Sequence, residues 1–257
     1  MKAYRGLTII MLIVFSLVFV KEANSNWLNQ GRELLKGLGN SKVQSPDRAT
    51  TKNSLTNSEI SGGLKDALKV GTENVVKQLG VKNGFYKDKA VHIPLPENLQ
   101  KIKNTLSMIG MAGTLNDLEL KLNRAAEIAT PKAKKLFWNA IADMKISDVN
   151  KIYNGPKDAA TQYFKKKMST PLKDEMKPII DESLSKAEAV QTYNSILNRY
   201  NSLPFVKPAK GDISTYVLNK AINGIFYYLA KEEAAIRENP AKRTTQLLKK
   251  VFGRGVN

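Results

Sequence analysis

Residues 58–80, "SEISGGLKDALKVGTENVVKQLG", contain the clearest helical signal in the chain. Large apolar residues recur every three or four positions, as expected when one face of a helix is buried. These residues are Ile60, Leu64, Ala67, Leu68, Val75, Val76 and Leu79. Ser58 is suited to cap the N-terminus of such a helix, and Gly80 is suited to end it. We therefore predict a helix from Glu59 to Leu79.

Similar patterns continue toward the C-terminus, separated by short joints that often contain proline or glycine. The predicted helices span about 96–109, 114–130, 133–144, 147–154, 156–168, 170–186, 187–200, 214–238 and 240–252. The segment "AVHIPLP" (90–96) is expected to be extended, because a residue before proline avoids the helical region. No alternation of polar and apolar residues is long enough to indicate a sheet. The fold class is predicted to be all-α, with roughly ten helices in a single compact domain over residues 58–253.

The N-terminal region has the character of a targeting segment. Lys2 and Arg5 precede an apolar run from Leu7 to Val20, and Ala23-Asn24-Ser25 offers small residues to a signal peptidase. Because this run is shorter than the roughly 20 residues of a membrane span, it is typical of a secretory signal. We predict a signal peptide at 1–25, cleaved after Ser25, and export to the periplasm. An uncleaved N-terminal anchor is the alternative.

Two further segments lie outside the predicted domain. Residues 26–57 are predicted to contain a short amphipathic helix, Trp27 to Leu38, followed by a polar flexible linker. Residues 254–257 would form a C-terminal tail. The chain contains no cysteine. An exported domain without disulfides must be held together by packing.

The chain is strongly basic, with a formal net charge of +18. Removal of residues 1–25 would leave +16, because that segment carries three positive residues and one negative residue. A field of this sign favours anionic partners such as lipid head groups, cell-wall polymers or acidic proteins. The predicted basic surface consists of Lys132, Lys134, Lys135, Lys165, Lys166, Lys167, Lys249 and Lys250. Nucleic acid is a less favoured partner, because the neighbouring aromatic residues Tyr163 and Phe164 fall on a predicted core face.

The last predicted helix combines positive charge with an apolar side. From Arg237 to Asn257 there are six positive residues and one negative residue. The apolar side is formed by Leu247, Leu248, Val251 and Phe252. Such a helix can lie on an anionic membrane or pack against its own domain, and the sequence leaves both alternatives open.

The segment "NGPKDAATQYFKKK" (154–167) can be interpreted as a binding site or as a joint between two helices. In the first interpretation, Asp158, Thr161 and Gln162 share one side of a helix and form a small polar pocket. In the second, Gly155 ends one helix and Pro156 begins the next. Asp158 then lies in the first turn, where a negative charge meets the positive helix end.

Arg124 is a candidate partner for this polar side. Leu120 and Ile128 lie opposite the main apolar face of its helix, so that we expect Arg124 to be in a mostly apolar, buried setting. A buried charge needs a partner, and Glu127 and Asp158 are both candidates. The candidate pocket therefore consists of Arg124, Glu127, Asp158, Thr161 and Gln162.

The sequence contains no recognisable catalytic or cofactor-binding motif. With His92 as the single histidine and no cysteine, a zinc site of the usual kind is disfavoured. No nucleophile-elbow pattern and no glycine-rich phosphate loop of standard spacing occurs. The adjacent acidic pairs 181–182 and 232–233 diverge by about 100° on a helix and form no ready carboxylate dyad. We therefore expect no catalytic residues, no metal and no cofactor, and we favour binding over catalysis.

Six segments, in this order, carry a family resemblance: "GLKDALKVGTENVVKQLG", "IPLPENLQKI", "NRAAE", "NGPKDAATQYFKKK", "YNSLPFV" and "RTTQLLKKVFG". They resemble the bacterial family called domain of unknown function 4197, from about Ser58 to Gly253. The resemblance implies an exported protein with one helical domain and no assigned activity. It implies no catalytic residues.

Three functional hypotheses follow from the residues. The first is an exported basic helical protein that docks to an anionic partner or surface. The second is a metal-independent enzyme or small-ligand binder with a polar pocket around Arg124, Glu127 and Asp158. The third is a partner-binding protein that uses Trp27 to Leu38 as a tethered docking helix.

Overall fold

The structure, a computed structural model, describes residues 55–253 except 203, 205, 207–209, 240, 241 and 244. The side chains of Leu247 and Leu248 are also outside the described part. The predicted signal peptide, the helix at 27–38, most of the linker and the C-terminal tail lie outside it as well. The described residues belong to one compact unit, Asn53–Asn257.

The described residues form nine α-helices and no strand, which confirms the all-α prediction. The helices are α1 (Asn57–Leu79), α2 (Glu97–Met108), α3 (Ala112–Ala129), α4 (Lys132–Ala142), α5 (Ile146–Tyr153), α6 (Ala159–Lys186), α7 (Ala189–Asn201), α8 (Ile213–Glu238) and α9 (Gln246–Phe252). Residues 92–96 lie outside any helix or turn, as the prolines predicted, whereas Ala90 and Val91 belong to a turn, so the extended segment is shorter than the predicted 90–96.

The first helix, α1, is capped by Thr56, so the predicted Ser58 cap was wrong. The Thr56 hydroxyl accepts the N–H of Glu59 at 3.2 Å, and the Glu59 carboxylate accepts the N–H of Thr56 at 3.0 Å. This reciprocal capping box satisfies two amide groups at the helix start. Ser58 lies inside the first turn, because the Thr-x-x-Glu spacing favours the earlier start.

The longest helix, α6, joins two predicted helices into one. It begins at Ala159 rather than Pro156, and it continues through Pro171 and Pro178. A proline inside a helix loses one hydrogen bond, but both of these prolines are exposed to water. On the opposite side, a buried stripe holds the helix together: Phe164, Met168, Leu172, Met176, Ile180 and Leu184. Packing therefore overrides the local break, which explains why the described part of the domain has nine helices instead of roughly ten.

The centre of the domain is the contact between α6 and α8. Helices α3 and α4 pack against α6, and α1 packs against α4, α5 and α8. Phe137 of α4 meets Phe164 of α6 and Phe226 of α8 edge to face, with ring centroids 5.5 and 6.0 Å apart. Edge-to-face pairs of this kind add to the stability gained from apolar burial. These contacts form one connected apolar core.

The loop between α1 and α2, residues 80–96, is part of this core. Phe85 and Ile93 are fully buried. The loop crosses α8 at Gly224, where an added Cβ would come within 2.8 Å of the Phe85 ring. Only glycine allows this close approach of loop and helix.

The C-terminal helix, α9, packs against the domain. Val251 and Phe252 are buried, and the Tyr153 hydroxyl donates to the carbonyl of Val251 at 3.2 Å. Lys250 forms an ion pair with Glu59 of α1. Of the two alternatives for this basic amphipathic helix, the structure shows packing against its own domain. No helix in the described part of the chain is long and apolar enough to cross a membrane.

Candidate functional site

The segment 154–167 forms the joint between α5 and α6. Helix α5 ends at Tyr153 and α6 begins at Ala159. The N–H of Ala159 donates to the carbonyl of Pro156 at 3.0 Å. Pro156 thus lies in a turn before the helix, and the prediction that it begins α6 was wrong. Its carbonyl accepts the first N–H of the helix, whereas Asp158 occupies the capping position without a side-chain cap.

Glu233 of α8 supplies the missing cap of α6. Its Oε1 accepts the N–H of Ala160 at 2.9 Å, and its Oε2 accepts the N–H of Thr161 at 2.9 Å. The Thr161 hydroxyl donates to Oε2 at 3.0 Å. The Glu233 side chain is only 5% exposed, so that little water is available to replace these bonds. A carboxylate at the positive end of a helix is also electrostatically favourable.

Arg237, one turn further along α8, makes the complementary contact with α5. Its Nη2 donates to Glu233 Oε1 at 3.0 Å and to the carbonyl of Ile152 at 2.8 Å. Its Nη1 donates to the carbonyl of Tyr153 at 3.3 Å. These carbonyls form the negative end of α5, which favours a cation. Helix α8 therefore presents an anion to the start of α6 and a cation to the end of α5.

The outer side of the same joint faces solvent. Gln162 Nε2 donates to Asp158 Oδ1 at 3.0 Å in an exposed position. Gln162 also lines an open groove of about 310 Å³ between α5 and α6, whose other polar side chains are Asp148, Lys151, Tyr163 and Lys166. The polar residues of the motif are thus divided, since Thr161 is turned to the interior and Gln162 to the outside.

Tyr163 connects the two walls of this groove. Its hydroxyl donates to Asp148 Oδ2 at 3.4 Å. Burial and the neighbouring carboxylate of Asp148 raise the pKa of Tyr163, because both disfavour the phenolate. Tyr163 therefore stays a neutral hydrogen-bond donor at neutral pH.

Arg124 and Glu127 form a second polar group, on α3. Arg124 Nη1 donates to Glu127 Oε2 at 2.5 Å, and Nη2 donates to Asn83 Oδ1 at 2.8 Å. The other oxygen of Glu127 accepts the N–H groups of Phe85 and Tyr86, each at 3.0 Å. Glu127 is therefore the partner of Arg124, and the pair fastens the 80–96 loop to α3.

The expected apolar setting of Arg124 was wrong. Its side chain is 27% exposed, Leu120 is half-buried and Ile128 is 58% exposed. This side of α3 borders an open groove, which α6 lines on its other wall. Apolar residues on both sides of a helix predicted burial, but here only one side meets the core.

The structure separates the five predicted pocket residues. No hydrogen bond or ion pair among the described residues joins the Arg124–Glu127 pair to Asp158, Thr161 or Gln162. Phe85, which Glu127 holds, meets α8 at Gly224. Glu233, which holds Thr161, lies nine residues further on, or about 13 Å along the helix axis. The Glu127 contacts and the Thr161 contacts are therefore two separate structural groups, which meet α8 at different positions along its length.

Two further residues hold the same loop and were not predicted to do so. Asn123 Oδ1 accepts the N–H of Ile93 at 2.9 Å, and its Nδ2 donates to the Ile93 carbonyl at 2.8 Å. The ring nitrogens of His92 lie 2.8 Å from Glu119 Oε1 and 2.8 Å from the Tyr86 carbonyl. His92 is thus hydrogen-bonded at both ring nitrogens, to Tyr86 within the loop and to Glu119 of α3.

Glu233 and Arg237 were also missed as partners of the motif. The signal was present, because Glu233 lies on the same face of α8 as Leu229 and Ile236, both buried. A charge within an apolar stripe indicates a buried polar contact. Its partner could not be identified, because it is 72 residues away in the sequence.

The eight predicted surface lysines differ in their contacts. Lys134 pairs with Glu73 at 3.1 Å and lies over the Trp138 ring at 4.6 Å. Lys250 pairs with Glu59, and its hydrogen bond lowers the pKa of Glu59 to about 2. The others are exposed and form no ion pair with a described residue: Lys132, Lys135, Lys165, Lys166, Lys167 and Lys249.

These features define a basic all-α domain in which buried polar side chains hold one loop and one helix junction. The chain belongs to the family described as "Protein of unknown function (DUF4197)", whose model matches residues 54–253. This match confirms the family indicated by the ordered sequence segments. No curated protein and no solved structure matches the chain.

Proposed function

We propose that the protein is an exported binding protein that docks to an anionic surface through exposed lysines, without covalent chemistry. The observation that carries this proposal is the Lys165–Lys167 run on α6. All three side chains are exposed, and none pairs with a carboxylate in the described part of the chain. Lysines that lack internal partners keep their full attraction for external anions.

A rigid platform supports these lysines. Phe164 and Met168, which flank the run, are buried in the core. The start of the same helix is held by Glu233. The backbone that carries the three charges is therefore ordered before binding, which lowers the entropic cost of docking.

Other exposed lysines add positive charge elsewhere on the surface of the domain. Lys132, Lys135 and Lys249 are exposed and unpaired among the described residues. Lys151 and Lys166 both line the groove between α5 and α6. The alternative function, an enzyme or small-ligand binder around Arg124, Glu127 and Asp158, has less support, because Arg124 and Glu127 bind each other and the 80–96 loop.

The docking proposal is tested with vesicles that contain phosphatidylglycerol, at low and high salt. Each lysine near an anionic surface contributes about 1 kcal/mol. Successive residues on a helix diverge by about 100°, so the three lysines do not all face one flat surface, and Lys165→Gln/Lys166→Gln/Lys167→Gln should weaken binding by at least about tenfold. A matched control removes the same charge from lysines in exposed ion pairs: Lys101, Lys177 and Lys186. The control should weaken binding much less, because those charges are already neutralised locally.

Two results would contradict the proposal. Equal losses in the two triple variants would show that net charge alone matters. No binding at low salt to vesicles, anionic cell-wall polymer or acidic protein would contradict the docking function altogether.

Export is tested separately by N-terminal sequencing of the protein from producing cells. The secreted protein should begin at Asn26, whereas an intact N-terminus in the membrane fraction would support the uncleaved anchor instead.

A further inference from the structure

The connection between α2 and α3 carries neighbouring apolar side chains that are exposed to solvent. Met108 is 88% exposed and Ile109 is 40% exposed. Leu106 and Leu115 are fully buried on either side of them, and no residue between these two leucines is buried. We call residues 107–114 the α2–α3 tip. Contiguous exposed apolar side chains, unlike single ones, indicate an interaction surface.

The backbone of the α2–α3 tip is an ordered turn. The N–H of Met111 donates to the carbonyl of Leu106 at 3.0 Å, and the N–H of Gly110 donates to the carbonyl of Ser107 at 3.0 Å. Gly110 has a φ of 84°. This combination is the Schellman motif, which closes the C-terminal end of a helix and satisfies its carbonyl groups. The exposed apolar side chains are therefore presented on a fixed backbone.

The α2–α3 tip is uncharged, and a free positive charge lies behind it. Residues 104–116 contain no charged residue, although 25% of the whole chain is charged. Lys103, the first charge before this run, is exposed and forms no ion pair with a described residue. It lies five residues before Met108, or about 8 Å along the helix axis. Asp117, the first charge after the run, is neutralised by Lys121 at 2.7 Å.

We propose that the α2–α3 tip inserts into the interface of an anionic lipid bilayer. This inference rests on the proposed docking function and names the partner in it. When Met108 reaches the boundary between head groups and acyl chains, Lys103 lies at the level of the anionic head groups. Interfacial segments of proteins combine an apolar contact with positive charge in this way.

The shape and polarity of the α2–α3 tip favour a bilayer over the other anionic partners. A Cβ added at Gly110 or Gly113 would meet no atom of the described residues within 4 Å, so the tip projects outward. A projecting apolar tip enters a fluid bilayer without a preformed cavity, whereas an acidic protein would need a cavity of matching shape. A cell-wall polymer offers negative charge but no apolar interior.

The insertion adds an apolar contribution to a binding reaction that is otherwise electrostatic. Apolar side chains of interfacial segments lie roughly 5–10 Å deep, near the boundary between head groups and acyl chains. Salt screens the attraction between lysines and anionic lipids, but it does not screen the burial of an apolar side chain. The contribution of Met108 should therefore persist at high salt, where that of Lys165–Lys167 declines.

Site-specific fluorescence tests the insertion directly. Because the chain contains no cysteine, Met108→Cys can carry a single environment-sensitive fluorophore. When vesicles that contain phosphatidylglycerol are added, its emission should shift to the blue, and a quencher attached to the lipid tails should reduce it. Ile146→Cys is the matched control, since Ile146 is 56% exposed on α5. This control should not be quenched from the lipid tails.

Binding measurements give the second test. Met108→Gln should weaken vesicle binding at least about fivefold, because it replaces an apolar side chain with a polar one of similar size. Ile146→Gln makes the same kind of change elsewhere and should alter binding less than about twofold. Neither substitution changes the net charge, and Met108→Gln should bind anionic cell-wall polymer like the parent chain. Thermal unfolding of both variants should match the parent chain, which separates loss of the contact from loss of the fold.

Several outcomes would overturn the inference while the docking function stands. These are vesicle binding without tail quenching at the Met108 position, equal losses from Met108→Gln and Ile146→Gln, and binding to anionic polymer but not to vesicles. A blue shift that grows with protein concentration in the absence of vesicles would assign the α2–α3 tip to a protein contact and would overturn the inference too. Conversely, tail quenching together with undiminished vesicle binding in Lys165→Gln/Lys166→Gln/Lys167→Gln would support the insertion and contradict docking through those lysines.

Discussion

Two buried glutamates, in different parts of the molecule, each accept hydrogen bonds from a distant segment of the backbone. Glu127 on α3 accepts two successive N–H groups of a loop, and Glu233 on α8 accepts two successive N–H groups at the start of α6. Each is paired with an arginine on its own helix, Arg124 or Arg237. In both places, a local ion pair is used to hold a distant backbone segment.

The surroundings of the two pairs differ. The Arg124 side chain is 27% exposed, whereas that of Arg237 is 14% exposed. The 80–96 loop has additional support from Asn123 and His92. At the α5–α6 junction, Glu233 and Arg237 are supplemented by the long Tyr163–Asp148 hydrogen bond, 3.4 Å, and by the exposed ion pair of Lys157 with Glu238, which are weaker contacts than those of Asn123. This difference predicts that the junction is more sensitive to a single substitution than the loop.

The largest expected effect is that of Glu233→Gln. The substitution keeps the shape but removes the charge that pairs with Arg237 and caps α6. Breaking one partner of a buried ion pair costs about 3–5 kcal/mol, so we expect a loss of at least about 3 kcal/mol in unfolding free energy. Urea denaturation measures this loss in the free energy of unfolding. Glu232→Gln is the control, since among the described residues Glu232 bonds only the exposed Asn74 side chain, and it should cost less than about 0.5 kcal/mol. Equal costs would contradict the assigned role of Glu233.

Glu127→Gln should cost less, about 2 kcal/mol, because water can hydrate the partly exposed Arg124 and other contacts still hold the loop. The expected local signature is faster hydrogen exchange at the amides of Phe85 and Tyr86. The amides of Ala160 and Thr161 serve as an internal control and should exchange at the parental rate. If Glu127→Gln proved more damaging than Glu233→Gln, the proposed difference between the two regions would be incorrect.

Thr161→Val should have a smaller effect, about 1 kcal/mol, because it removes only the hydroxyl bond to Glu233 and keeps the N–H bond. Thr170→Val, at an exposed position of the same helix, is a matched control and should be within about 0.5 kcal/mol of the parent chain. Thermal or urea unfolding measures both variants. No difference between them would mean that the Thr161 hydroxyl contributes nothing to the junction.

The last expected effect is confined to high pH and concerns the contact between α8 and the 80–96 loop. Burial and the hydrogen bond to Asp88 raise the pKa of Tyr228 from 10.0 to about 12. A raised folded-state pKa means that the folded state keeps its proton longer, so the stability from this contact is present below pH 10 and lost between about pH 10 and 12. Tyr228→Phe should show a shallower loss of stability over this range. The same slope in both proteins would exclude a contribution from Tyr228.

Most of the fold could be predicted from helical periodicity and end signals. The period of apolar residues located α1 and α8 within about one or two residues, because their buried stripes are long. Pro171 misled the prediction, since the four-residue apolar spacing continues across it and burial outweighs one lost hydrogen bond. Thr56 was missed because Ser58 is also a good capping residue, and only the position of Glu59 distinguishes the two.

The candidate site was less predictable, for a physical reason. Sequence spacing showed that Arg124 and Glu127 can pair, because both lie on one helix. The backbone groups that Glu127 holds, and the glutamate that holds Thr161, come from distant parts of the chain. Which residues become these partners depends on how the helices pack against each other. The periodicity of one helix does not specify that packing.

The central claim is that Glu127 and Thr161 belong to separate structural groups and not to one pocket. Double-mutant cycles test it directly by comparing unfolding free energies. The Glu127→Gln/Thr161→Val pair should be additive within about 0.5 kcal/mol, whereas Glu233→Gln/Thr161→Val should show a coupling of about 1 kcal/mol, because those two side chains are in contact. A coupling above about 1 kcal/mol between Glu127 and Thr161, or none between Glu233 and Thr161, would contradict the account.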